Sequence, residues 1–131
     1  MHGTPANAEG IFSYKDNLKI SHAVKSGNTI HISGQIAVDP QGRVVGEGDI
    51  GVQAEYIWGN IRKVLEAAGS SLEDVVKIFQ FVVGAENFPK IGEARQKAFP
   101  KEPYPCSTGV IIDALVYPGL LLEVDVIAVT S

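Results

Sequence analysis

A chain of 131 residues, 45% hydrophobic and 20% charged, is long enough for one domain with a full core, and no apolar run in it approaches the ~20 residues of a membrane span. A net charge of −4 with no basic stripe to neutralise phosphates leaves nucleic acid outside the expected partners. The single cysteine, Cys106, excludes an internal disulfide and points to a reducing, cytoplasmic setting, while His2, His22 and His31 lack metal-ligand spacing, so neither metal nor cofactor is expected.

Met1–Gly10 has neither the basic start nor the apolar centre of a signal peptide; it reads as a flexible terminus (1–10) ahead of a single domain over 11–131. Ile11–Tyr14 is a candidate short strand. Ser21–Lys25 and Thr29–Gly34 are stronger candidates, joined by the hairpin chemistry of Ser26-Gly27-Asn28. Past Gln35–Val38, Asp39-Pro40-Gln41-Gly42 is a turn, and Arg43–Val45 returns as another short strand.

Asp49 can cap a helix over Ile50–Ala68, because Ile50, Ala54, Ile57, Ile61, Val64, Leu65 and Ala68 recur at helical spacing. Gly69 stops it. Ser71–Asp74 is a capped turn leading into a strand at Val75–Val83, with Lys77, Phe79 and Phe81 on one face and Val76, Ile78 and Val82 on the other. Asn87-Phe88-Pro89 starts a second helix running to about Phe99, expected to bury Phe88, Ile91, Ala94, Ala98 and Phe99. Trp58 and Phe79 are assigned to the core. Pro100, Pro103 and Pro105 then hold the chain extended.

Two apolar runs close the sequence, Gly109–Ile112 and Gly119–Val129. In the second, Leu120, Leu122, Val124, Val126 and Ala128 fall on one side, and Leu121, Glu123, Asp125, Ile127 and Val129 on the other. Glu123 and Asp125 thus share a face, about 6–7 Å apart along the strand. Carboxylates in an aliphatic strand are costly unless paired, hydrated or useful, so they belong either to a structural network or to a working site. The order of elements gives an α+β domain with two helices on one face of a mixed sheet. Helices cover only one face, whereas the Val75–Val83 and Gly119–Val129 runs are apolar on both. A second copy of the chain is the expected cover.

Several segments together resemble the YjgF/Rid family, also labelled L-PSP endoribonuclease-like. They are Ala23–Ile30 (AVKSGNTI), Ile32–Ile36 (ISGQI), Val64–Gly69 (VLEAAG), Asp74–Lys77 (DVVK), Asn87-Phe88, Tyr104–Thr108 (YPCST) and Leu122–Ala128 (LEVDVIA). The resemblance implies a chorismate-mutase-like fold, a homotrimer with clefts between subunits, and hydrolysis of reactive enamines and imines to ketones and ammonia. It also implies site residues. Glu123 matches the acid that orients the attacking water. Ser33 and Gly34 match a polar cleft motif, and Ser107, Thr108, Gly109, Phe88 and Ile20 fall at substrate-binding positions. The deaminase branch carries an arginine where this chain has Ser107, a cysteine where it has Gly109, and a tyrosine where it has Ile20. The substrate is therefore expected to differ from simple 2-aminoacrylate. A non-catalytic small-molecule-binding trimer is the alternative, and an endoribonuclease is disfavoured by the acidic charge and the lack of a cationic cluster.

Overall fold

In the computed structural model, which describes residues 2–131, the alternating apolar segments assemble into one six-stranded sheet. Its strands are β1 (Thr4–Ala6), β2 (Ala23–Ser26), β3 (Thr29–Ile36), β4 (Val75–Val83), β5 (Cys106–Ile112) and β6 (Leu122–Val129), in the spatial order β1-β2-β3-β6-β4-β5. Neighbours are antiparallel except β4 and β5, which run parallel. The last strand in the chain therefore lies between β3 and β4. A strand so enclosed is under pressure to be apolar along its length.

The helices are α1 (Tyr14–Leu18), α2 (Ile50–Ala67) and α3 (Gly92–Ala98). As its sequence predicts, α2 starts at Asp49, whose side chain accepts from the Val52 amide at 3.2 Å. It ends in a Schellman arrangement: the Gly69 amide donates to Glu66 O and the Ser70 amide to Leu65 O, with Gly69 at φ +78°. Ile50, Ala54, Ile57, Ile61, Val64 and Leu65 pack into the core with Ile30, Ile32, Ile78, Val82, Leu122, Val124 and Val126. Each of the Ile, Leu and Val side chains contributes roughly 1.5–3 kcal/mol by leaving water. Gln53 is buried in the same layer and fully used. Its amide donates to Gly46 O and Gly119 O, and its carbonyl accepts from the Leu121 amide at 2.8 Å. That clamp fixes the chain entering β6.

Four expectations are corrected. Thr4–Ala6 lies outside the loose state expected of 1–10: the exposed edge of β2 supplies unpaired backbone groups, and β1 pairs with them in the register Thr4↔Lys25. Met1 lies outside the described residues. Ile11–Tyr14 is no strand, because Ser13 caps α1; the Asp16 amide donates to Ser13 Oγ, which in turn donates to Asp16 Oδ2. Arg43–Val45 makes a single bridge, Val38↔Val44. In β4 the register slips between Val75 and Lys77, which turns Val75 into the core and Val76 out to 45% exposure.

The second helix also differs. It begins as a 3-10 segment over Ala85–Ile91 before α3, and Phe88 remains 36% exposed while Ile91 and Ala94 are buried. Trp58 is in the core, but Phe79 is only half-buried, on the face away from α2. Among the described residues, no helix is long and apolar enough to cross a membrane.

Candidate functional site

Strand alternation decides where the acids go. Leu122, Val124, Val126 and Ala128 enter the core, so Glu123, Asp125 and Ile127 occupy the helix-free face, half-buried. On β4, Phe81 lies opposite Glu123 and Phe79 opposite Asp125, and β5 adds Thr108 beside Phe79. The Phe79 and Phe81 rings stack with centroids 4.8 Å apart. Lys77 Nζ lies 5.8 Å from the Phe79 centroid and donates to Thr108 Oγ1 at 2.7 Å.

On the other flank of β6, the β3 register shifts between Ile32 and Gln35. The bulge at Ser33-Gly34 brings backbone up to Glu123. A Cβ on Gly34 would overlap Glu123 Oε2 and fall 2.7 Å from the carboxyl carbon. Tyr14 Oη donates to Gly34 O at 2.7 Å and so holds this bulge from α1. Ser33 Oγ donates to Ser21 O at 2.7 Å, which spends its hydrogen on the backbone.

Electrostatics follow from this geometry. Burial, and then the charge of Asp125, hold the Glu123 carboxyl above its ordinary pKa. Burial also raises Asp125, against the opposing pull of Lys77. Burial and the Glu123 charge raise the Tyr14 phenol, which stays protonated and remains a donor. The carboxylate pair is thus poised to hold a proton more readily than an exposed pair would.

Ser107 lies elsewhere. It pairs with Ile78, whose side chain is buried beneath the helices, so Ser107 faces the helix side of the sheet and not the Glu123 side. There it lines a cavity of about 450 Å³ with Ile78, Arg95, Phe99 and Tyr104, and accepts from the buried Gln80 amide at 3.1 Å. Gly109 shares that face beneath Phe88, whose ring atoms would be 2.6 and 2.7 Å from a Cβ at 109. Ile20 is 48% exposed just past α1. One chain therefore unites Gly34, Glu123 and Thr108 on one face, and Ser107, Gly109 and Phe88 on the other.

Three contributors escape the sequence reading: Tyr14, Lys77 and Arg95. Ser13-x-x-Asp16 is a capping pattern that would have turned Ile11–Tyr14 into a helix start and brought Tyr14 forward. His22 is structural. Its ring is buried, Nδ1 accepts from the Ala8 amide at 3.1 Å, and Nε2 donates to Phe12 O at 2.8 Å. His31 stays exposed on β3 and Cys106 is an exposed free thiol. Among the described residues, no three His, Cys, Asp or Glu side chains converge as metal ligands.

Fold and site together define a small α+β protein of the YjgF/Rid type, with helices on one sheet face and a carboxylate pair on the other. The sequence pattern of the family described as Endoribonuclease L-PSP matches residues 16–130. A RutC family protein of Pyrococcus horikoshii is 36% identical over 108 residues, 82% of this chain and 84% of that protein. A protein of Dermatophagoides farinae named 2-iminobutanoate/2-iminopropanoate deaminase is 34% identical over 90 residues, 69% of this chain and 70% of that one. The crystal structure of RidA from an Antarctic Psychrobacter superposes with a TM-score of 0.87 at 31% identity, over 97% of this chain and 99% of that one. The chain belongs to the Endoribonuclease L-PSP family, the YjgF/Rid group.

Proposed function

We propose that the protein is a Rid-like hydrolase that deaminates a small reactive enamine or imine metabolite in clefts between the subunits of a homotrimer. The observation that carries this is Glu123, a half-buried carboxylate with a raised pKa, propped on glycine backbone and open to the helix-free face. Imine hydrolysis needs a water, a group to take and return its proton, and little else. Glu123 takes a proton from the attacking water as its oxygen bonds to the imine carbon. It returns that proton to the nitrogen to give a carbinolamine, then carries the hydroxyl proton of that intermediate to the same nitrogen as the C–N bond breaks, and a ketone and ammonia leave. An enamine enters by the same route after protonation at carbon gives the imine.

The subunit arrangement is supported by two features of the single chain. Phe79 and Phe81 sit half-exposed beside Ile127 on the uncovered face, an apolar surface suited to a second copy. Ser107 and Glu123 face opposite sides of one sheet, so a cleft using both must draw them from two copies. A cavity lined by Ile78, Phe99, Pro100, Tyr104 and Pro105 suits a substrate with a larger apolar body than 2-aminoacrylate. The lone free thiol fits a reducing, cytoplasmic setting. Nucleic acid is outside the proposed partners, since an acidic pair on the open face repels phosphate.

The test is ammonia release from freshly generated imines of several amino acids, wild type against Glu123→Gln. A base in this role predicts a loss of about 10²–10⁴ in rate. Ligand binding without ammonia release from any of them would make the protein a non-catalytic binder.

A further inference from the structure

The bulge that carries the Glu123 carboxylate is held in part from outside the sheet. At Ser33-Gly34 the β3 register slips against β6, and the ladder is interrupted there. Other partners serve the backbone groups of the bulge. The Ser33 amide donates to His22 O at 2.9 Å, Ser33 O accepts from the Gln35 side-chain amide at 3.1 Å, and Gly34 O accepts from Tyr14 Oη at 2.7 Å. The last of these bonds comes from α1. It acts at the residue whose α-carbon touches the Glu123 carboxylate.

Tyr14 is packed so that its phenol cannot wander. It opens α1 behind the Ser13 cap, is 5% exposed, and meets the His22 ring edge-on with centroids 4.8 Å apart. His22 is itself fixed by the Ala8 amide and Phe12 O. The Ile36 backbone also reaches the phenol, and Ile36 is the residue paired with Glu123 across the ladder. Burial and the Glu123 charge keep the phenol protonated, so the donor persists at any pH at which the protein works. Tyr14 lies ahead of residues 16–130, the stretch that carries the family pattern.

We propose that Tyr14 is a positioning residue for Glu123, its phenol fixing the Gly34 backbone on which the carboxylate rests. Tyr14 gives its hydrogen to Gly34 O and not to the carboxylate, so it acts through the bulge. It sets where the base stands and leaves the contacts that bind substrate alone. A loss should therefore fall on kcat and spare KM. The proposal rests on the deaminase reading for this kinetic consequence, and on geometry for the position of the carboxylate. Asp125 acts on Glu123 and Tyr117 on Tyr14 by charge, and both stay in place when the phenol oxygen is removed.

The experiment makes two measurements on Tyr14→Phe, which removes one oxygen and keeps the packed ring. In ammonia release from an imine across a range of pH, kcat is expected to fall about 10- to 100-fold, the scale of a small misplacement of a catalytic group. KM should stay within about twofold of wild type. In a 13C NMR titration of the glutamate carboxyl carbons, the Glu123 signal is the one missing from Glu123→Gln. A carboxylate released from the bulge gains water, so Glu123 should titrate at lower pH in Tyr14→Phe, and the acidic limb of the kcat profile should move with it. Full kcat in Tyr14→Phe, or a reduced kcat with the Glu123 titration unmoved, overturns the proposal. If wild type releases no ammonia from any imine, the deaminase reading fails and the NMR titration alone decides: a shifted Glu123 keeps Tyr14 as its positioning residue, and an unmoved one overturns it. If Tyr14→Phe melts early, Tyr14→4-aminophenylalanine decides, because it keeps the ring and a weaker donor. It should move the Glu123 titration in the same direction by less, and no movement overturns the proposal.

Discussion

The carboxylate of Glu123 rests on the α-carbon of Gly34, where a methyl group would overlap Oε2. Gly34 does not adopt a positive φ, so the position requires glycine for room and not for backbone conformation. Gly34→Ala should therefore displace the acid while sparing the fold. Ammonia release is expected to fall on the order of 10²-fold, the scale of an ångström-level misplacement of a catalytic group. Circular dichroism and subunit mass should match wild type. Undiminished turnover would mean that the position of Glu123 over the bulge has no role in the reaction.

The stacked Phe79 and Phe81 rings give the proposed homotrimer a direct test. Both are half-exposed in the single chain, so Phe79→Gln/Phe81→Gln should fold. Sedimentation should shift from about three times 14.0 kDa toward one. Ammonia release should disappear with the assembly. A wild type that sediments as a monomer removes the interfacial cleft altogether.

His22 and the acid pair pull stability in opposite directions with pH. Burial lowers the His22 pKa, with the hydrogen bond to Phe12 O opposing, so the unfolded chain takes up its proton first on acidification. The stability that neutral His22 provides is complete above about pH 6.5 and is lost as pH falls from there through the lowered folded value. Glu123 and Asp125 have raised folded values, so the native state takes their protons first and gains stability as pH falls through that range. In a Glu123→Gln background, where the opposing contribution is smaller, the melting temperature should drop between pH 7.5 and pH 5.5. His22→Gln in the same background should flatten that slope.

Much of the fold is legible because periodicity and caps are local. Asp49, the apolar stripe of α2 and Gly69 mark one helix at both ends, and the alternation in Leu122–Val129 separates core from open face without reference to any other element. The carboxylate pair is legible for the same reason, and its raised pKa follows once the shared face is granted. What escapes depends on residues distant in the chain. Strand order puts β5 parallel to β4 and turns Ser107 away from Glu123, and no local pattern carries that information. Phe79 looks like core because its strand is apolar, yet only the helix-bearing face is covered. Arg95 reads as a solvated helix residue until Ser107 is seen across the cavity from it. The bulge in β4 defeats simple alternation at Val76, since one slipped residue exchanges the two faces.

The placement of β6 has a kinetic consequence. β3 and β4 are both made before the strand that joins them, and Ile30 must find Ala128 across most of the sequence. Until that happens, each half of the sheet carries an open ladder edge, and loop closure must precede the contacts that reward it. Folding should therefore be slow for a domain of this size, and the interval before β6 docks is when the chain is most exposed to pairing with its neighbours during synthesis. Lys77 on β4, at the seam that β6 will fill, is a charged residue on an otherwise adhesive edge during that interval.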